Sequence, residues 1–263
     1  MKRRDFLASS IGAGVAVGVG TRIARAGATK TKREYYELRV YRTPTAAKRK
    51  IAEEYLANGL LPALNRMGIG RVGVFTRLDD DKDFSVYALI PYRTLELFAM
   101  VNPRLGSDGA YQKAARGFFS SPQSDPVYRR IESYFMKAFT SIPVIELPPQ
   151  TGSKQPRIFE LRIYESHSGD TAARKVEMFD TGETQLMRDV ELGPVFFGET
   201  LIGSNVPNLT YMLAAPDMEA HKKHWTAFVK HPEWERMKNI EKYKDTVSKV
   251  TNWFLEPTGF SQI

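Results

Sequence analysis

The chain contains no cysteine. Disulfides, thiolate metal sites, a cysteine nucleophile and a lipid-modified N-terminal cysteine are thereby excluded. Histidine is scarce, so imidazole chemistry can draw only on His167, His221, His224 and His231. There is no Gly-rich phosphate loop and no nucleophile elbow. A strong charge of one sign is also missing. Of the formal +8, residues 1–26 carry Lys2, Arg3, Arg4, Arg22 and Arg25 against Asp5, 5 − 1 = +4. That leaves 8 − 4 = +4 for the other 237 residues, mixed in sign. Nothing in this balance points to nucleic acid as a partner.

What is present begins with the N-terminus. Lys2-Arg3-Arg4-Asp5-Phe6-Leu7 precedes a weakly apolar run, Ala8 to Gly20, well short of the roughly 20 residues that span a bilayer. Ala24-Arg25-Ala26 follows, with small residues where a signal peptidase reads them. The segment resembles a bacterial twin-arginine (Tat) signal. The resemblance implies passage through the Tat translocation machinery to a periplasm, with cleavage after Ala26. The predicted organisation is signal 1–26, tether 27–33, first repeat 34–147, linker 148–156 and second repeat 157–263.

The repeats rest on two hexapeptides, Tyr36-Glu37-Leu38-Arg39-Val40-Tyr41 and Phe159-Glu160-Leu161-Arg162-Ile163-Tyr164, 160 − 37 = 123 residues apart. Period-2 alternation marks each as a strand with two unlike faces. Leu38, Val40, Leu161 and Ile163 form the apolar face, expected to meet helices. Glu37, Arg39, Tyr41, Glu160, Arg162 and Tyr164 form the other.

Each repeat reads strand, helix, strand, strand, helix, strand, which is a ferredoxin-like order. The predicted fold is α+β, two tandem βαββαβ repeats. Pro62 predicts a kink near Gly59, and Asn102-Pro103 predicts a helix break. Residues 127–136 read as a short helix leading into a strand over 138–145. Ser120-Ser121-Pro122 is matched with Lys230-His231-Pro232. Asp79-Asp80-Asp81 reads as a solvated hairpin turn rather than a metal site.

A ferredoxin-like sheet leaves one face bare of helices, and that face is expected to meet a second sheet, within the chain or in a homodimer. The Glu-Arg-Tyr set is placed in the space between sheets. There it is either an ion-pair network or a pocket in which arginine holds an anionic or carbonyl-bearing ligand. His221 and His224 are three apart, but with Lys222 and Lys223 between them they read as an exposed helix face, and no metal site is assigned. His231, before Pro232, is read as a general base, a haem ligand or a structural group at a helix break.

Tyr36-Glu37-Leu38-Arg39-x-Tyr41 and Trp225-x-x-Phe228-x-x-His231-Pro232-x-Trp234, running on to Met237, Tyr243 and Val247, resemble the NIPSNAP family. The resemblance implies a dimeric α/β barrel, a clan that includes small monooxygenases, haem-handling enzymes and isomerases. It assigns no reaction and no cofactor. Three readings stand: an exported protein binding a small ligand between its sheets; an oxygenase, isomerase or haem-linked enzyme using that cavity; and a structural oligomerisation module. The candidate site residues are Glu37, Arg39, Tyr41, Glu160, Arg162, Tyr164 and His231.

Overall fold

The computed structural model describes residues 32–263. The signal and the tether up to residue 31 lie outside them. The first alternating segment forms β1 (Tyr35–Arg42). It is followed by α1 (Ala46–Tyr55), a π-turn at Leu56–Leu60, α2 (Leu61–Arg66), β2 (Gly73–Arg77), β3 (Val86–Tyr92), α3 (Leu95–Ser107), α4 (Gly109–Phe119) and β4 (Arg130–Ala138). The second repeat runs β5 (Ile158–Glu165), α5 (Gly169–Met178), a π-turn at Phe179–Glu183, α6 (Thr184–Asp189), β6 (Pro194–Ile202) and β7 (Asn208–Ala215). It ends with α7 (Met218–Lys230), α8 (Pro232–Lys238) and β8 (Lys249–Pro257).

The strands close into one barrel in the order β1-β3-β2-β8-β5-β7-β6-β4. Each repeat supplies an antiparallel ferredoxin-like quartet, β4-β1-β3-β2 and β8-β5-β7-β6. The seams are β2–β8 and β4–β6. The fold is therefore α+β, two tandem ferredoxin-like repeats of the dimeric α/β-barrel type. Both halves come from one chain, and closure leaves no free sheet edge in the barrel.

The register of the duplication is tighter than the hexapeptides show. Helix caps recur at a constant offset: Thr45 and Ser168 (168 − 45 = 123), Thr94 and Asp217 (217 − 94 = 123), Asp108 and His231 (231 − 108 = 123). Each accepts a backbone N–H at a helix start, satisfying a donor the helix cannot. The counterpart of His231 is thus Asp108, not Ser121, and α3, not α4, answers to α7. The last strands depart most from that offset, with β4 and β8 starting 249 − 130 = 119 apart.

The kink near Gly59 is a π-turn with Pro62 just beyond it. The second repeat makes the same turn without a proline, around Gly182 (182 − 59 = 123). Proline is therefore not its cause. Both glycines sit under the neighbouring helix: a Cβ on Gly182 would lie 3.1 Å from the Met237 sulfur. Asn102-Pro103 does not break α3. Pro103 and Ala99 are exposed, so water can serve the freed Ala99 carbonyl, while buried Val101 and Leu105 hold the helix down. Residues 130–138 are a strand rather than a helix, and 139–145 carry no strand. Pairing with β1 on one side and β6 on the other overrides the local helical pattern. The three aspartates form the hairpin turn expected of them, with Asp79 accepting from Arg77 Nε (2.8 Å).

The largest correction concerns the strand faces. Leu38, Val40, Phe75, Leu89, Met136, Phe159, Leu161, Phe196, Met212 and Leu255 pack together inside the barrel, none more than 1% exposed. The apolar face points between the sheets, and the Glu-Arg-Tyr face points at the helices. The space between the sheets is filled by side chains, as in other small barrels. It does not hold the site expected there. The physical reason is that the lumen offers no backbone or helix-borne donors to a charged side chain, whereas the sheet–helix layer does. As a core residue, Leu161→Ala is expected to cost about 2–5 kcal/mol in urea melts. A cost below about 1 kcal/mol would mean that the lumen is loosely filled.

Candidate active site between sheet and helices

β5 turns Glu160, Arg162 and Tyr164 toward α5 and α7, and the helices return donors to them. Glu160, 2% exposed, accepts at Oε1 from Arg162 Nη1 (2.5 Å) and Asn252 Nδ2 (3.2 Å). Its Oε2 accepts from Trp225 Nε1 (2.8 Å) and meets His221 Nε2 at 3.0 Å. Burial works against ionisation of this carboxyl. The His221 hydrogen bond, the Arg162 charge and the Trp225 hydrogen bond overcome it, so the group titrates below the usual carboxylate range.

Arg162 Nη2 donates to the Tyr164 hydroxyl (3.1 Å), which also accepts from Tyr211 (2.8 Å). The guanidinium lies 4.7 Å from the Trp225 ring centre and 5.4 Å from that of Tyr164. Its Nε is buried without a hydrogen-bond partner. Burial pushes the Tyr211 phenol well above its ordinary range. Behind this set, Lys175 Nζ donates to Glu183 Oε2 (2.7 Å), both side chains nearly closed to solvent. Burial raises the Glu183 pKa even against the Lys175 charge. Asn252, on β8, is exposed and marks where the cluster meets water.

The first repeat builds the same frame more simply. Glu37 accepts from Arg39 Nε (2.6 Å), Tyr92 (2.8 Å) and Ser133 (2.8 Å). Ser133 is the counterpart of Asn252 (252 − 133 = 119). Tyr41 packs on Tyr55 and Phe118, and the Tyr55 and Tyr111 hydroxyls are 2.9 Å apart. Where the second repeat has Lys175, Glu183, Tyr211, His221 and Trp225, the first, 123 residues earlier, has Ala52, Leu60, Ala88, Phe98 and Asn102. The chemistry is concentrated in the second copy.

The structure joins Glu160, Arg162 and Tyr164 in one cluster and Glu37, Arg39 and Tyr41 in another. It leaves His231 out of both. His231 caps α8, its Nδ1 accepting from the Glu233 N–H (3.1 Å); it serves a backbone donor, not a freed carbonyl. His221, read as exposed, is 3% exposed and bound to Glu160. The signal that finds it is the spacing His221, Trp225, Phe228, an i, i+4, i+7 stripe on one helix face. Among the described residues, no group of three or more His, Asp or Glu is placed to hold a metal ion.

Residues 159–262 match the NIPSNAP family. The NIPSNAP match therefore spans the repeat that carries the richer cluster. No curated protein matches the chain. A structure from Lactobacillus acidophilus NCFM, provisionally titled a monooxygenase, shares 10% identity at a TM-score of 0.58, covering 86% of this chain and 94% of its own. An anthrone oxidase-like protein shares 12% identity at 0.50, covering 87% and 93%. A NIPSNAP-like domain protein from Burkholderia xenovorans aligns over 40% of this chain and 88% of its own, at 21% identity and 0.37. The first two confirm the barrel across both repeats.

A carboxylate whose folded pKa is lowered adds stability above its unfolded pKa and loses it as pH falls through the folded value. The wild type is therefore expected to lose stability in urea melts as pH drops below about 4. Glu160→Gln should lower stability at neutral pH by about 3 kcal/mol and flatten that acid limb. An acid limb of equal depth in wild type and variant would place Glu160 outside the buried network.

Proposed function

We propose that the protein is an exported α/β-barrel protein that binds a small oxyanion or carbonyl-bearing molecule in the sheet–helix layer of its second repeat, with Arg162 as the principal contact. The observation that carries this reading is the Arg162 guanidinium. It is walled by Trp225, Tyr164 and Tyr211, and it keeps one buried N–H without a partner. Its counterpart Arg39 uses that same N–H on Glu37. Buried donors are rarely left unmade, and in this reading a ligand oxygen is the partner of this one. Glu160 then orients the arginine, and Asn252 lies at the entrance.

An oxidative reaction at this site is the second reading. Its support is the Tyr164–Tyr211 hydroxyl pair beside Trp225, and the likeness in fold to a protein named as a monooxygenase and to an anthrone oxidase-like protein. Nothing in the donor set here selects a cofactor. The third reading, a structural oligomerisation module, cannot use a sheet edge of the closed barrel. In our reading a second copy, as in a homodimer, docks on helix faces.

Arg162→Met separates a site from a scaffold. His221, Trp225 and Asn252 still satisfy Glu160 in the variant, so stability should fall by only about 1 kcal/mol. Native mass spectrometry of protein recovered from its producing cells should show a small-molecule adduct on the wild type that the variant lacks. A loss of about 3–5 kcal/mol, or an adduct kept by the variant, would make Arg162 structural.

The export part of the reading rests on Arg3-Arg4, Phe6-Leu7 and Ala24-Arg25-Ala26. Replacing Arg3 and Arg4 by lysines should leave the precursor in the cytoplasm on cell fractionation. Unchanged export would assign a different route.

A further inference from the structure

Outside the cluster, a cleft of about 460 Å³ opens between the linker and the second repeat. That volume lies in the range of small-molecule sites. Its walls are apolar and poor in donors, formed by Leu147, Pro148, Pro149, Pro194 and Pro216. Pyrrolidine rings present flat hydrocarbon and no N–H.

The charged groups at the cleft are not equivalent. Arg188 donates to Glu146 through Nη2 (2.6 Å) and Nε (3.3 Å), and to the Ser141 carbonyl (3.0 Å), so its charge is already answered. Glu191 is left over. Its side chain is 82% exposed at the lip, with Oε2 3.6 Å from His224 Nε2, beyond a good hydrogen bond. His224 also lines the cleft, and its Nδ1 is buried without a partner. Nδ1 lies on the opposite edge of the imidazole from Nε2, the nitrogen nearest Glu191, so it is not offered to a cation held at that carboxylate. The cleft therefore presents one unanswered carboxylate, Glu191, at the lip of an apolar floor, with the His224 ring beside it.

Both belong to the second repeat alone. The counterpart of Glu191 is Gly68 (191 − 123 = 68), and both residues have a positive φ, 61° and 77°. Glycine is the natural residue in that conformation, and the second repeat carries a carboxylate there instead. The counterpart of His224 is Val101 (224 − 123 = 101), a buried core residue.

We propose that this cleft binds a protonated primary amine carried on a small aromatic ring, the ring lying on the proline walls and the ammonium donating to Glu191. The inference stands independently of the Arg162 site. Titration of the wild-type protein with benzylamine, benzyl alcohol and benzoate, followed by amide chemical shifts, tests it. Benzylamine should shift amides around Glu191 and Ala214 and bind about tenfold more tightly than benzoate. Glu191→Gly, which restores the first repeat's residue and suits the backbone, should weaken benzylamine about fivefold and leave benzyl alcohol unchanged. Arg162→Met should leave the benzylamine and benzyl alcohol affinities as they are. Benzoate shifting the amides around Glu191 and Ala214 as tightly as benzylamine does, an unchanged benzylamine affinity in Glu191→Gly, or benzylamine shifts confined to other regions would overturn the assignment.

Discussion

A buried carboxylate on a central strand can exist only where donors surround it, and Glu160 sets that condition for the second repeat. Its partners come from three elements: Arg162 on β5, His221 and Trp225 on α7, and Asn252 on β8. Satisfying it fixes how α7 lies on the sheet, because two donors one helical turn apart must reach one oxygen. Glu37 imposes the same demand in the first repeat and is answered from strands alone, by Arg39, Tyr92 and Ser133. The helix above it is then free to carry Phe98 and Asn102, and no further chemistry accumulates there.

The duplication explains why two such sites exist, and the divergence explains why they differ. Lys175, one turn before the second π-turn, and Glu183, the last residue of that turn, form a closed ion pair where the first repeat has Ala52 and Leu60. A buried pair of this kind seldom raises stability over an apolar pair. Its ammonium lies 4.7 Å from the Phe179 ring centre and 5.7 Å from that of Tyr164, so the pair sits directly behind the Arg162 cluster. Widened helical turns often occur at functional positions, and both repeats keep theirs at the glycine that lets the next helix approach.

Much of the architecture was legible because the duplication doubled each signal. The strands at 35–42 and 158–165, the hairpins and the βαββαβ order followed from periodicity and breakers, whereas the distortion near Gly59 was expected at the right place from Pro62, which is not its cause. The direction of the faces did not. Alternation shows that a strand has two unlike sides, but here both sides are buried, and period 2 cannot say which is the lumen. The polar side lies under helices because donors are available there, and that depends on His221 and Trp225, some 60 residues away in sequence. His221 was obscured by Lys222 and Lys223, whose exposure belongs to the other faces of the same helix. The β4 segment misled for the opposite reason: its local pattern suits a helix, and two neighbouring strands hold it extended. The cleft beside Glu191 had no local signature, since the linker, a helix end and a strand end form it together.

The central claim is that the even-numbered residues of β5 lie against α7 and the odd-numbered ones fill the barrel. Nuclear Overhauser contacts from the Trp225 indole N–H test this most directly. The account predicts contacts to the side-chain methylenes of Glu160 and Arg162, with the Leu161 methyl groups seen only from other lumen residues. Contacts from that indole to Leu161, with Glu160 and Arg162 silent, would reverse the faces and contradict the site built on them.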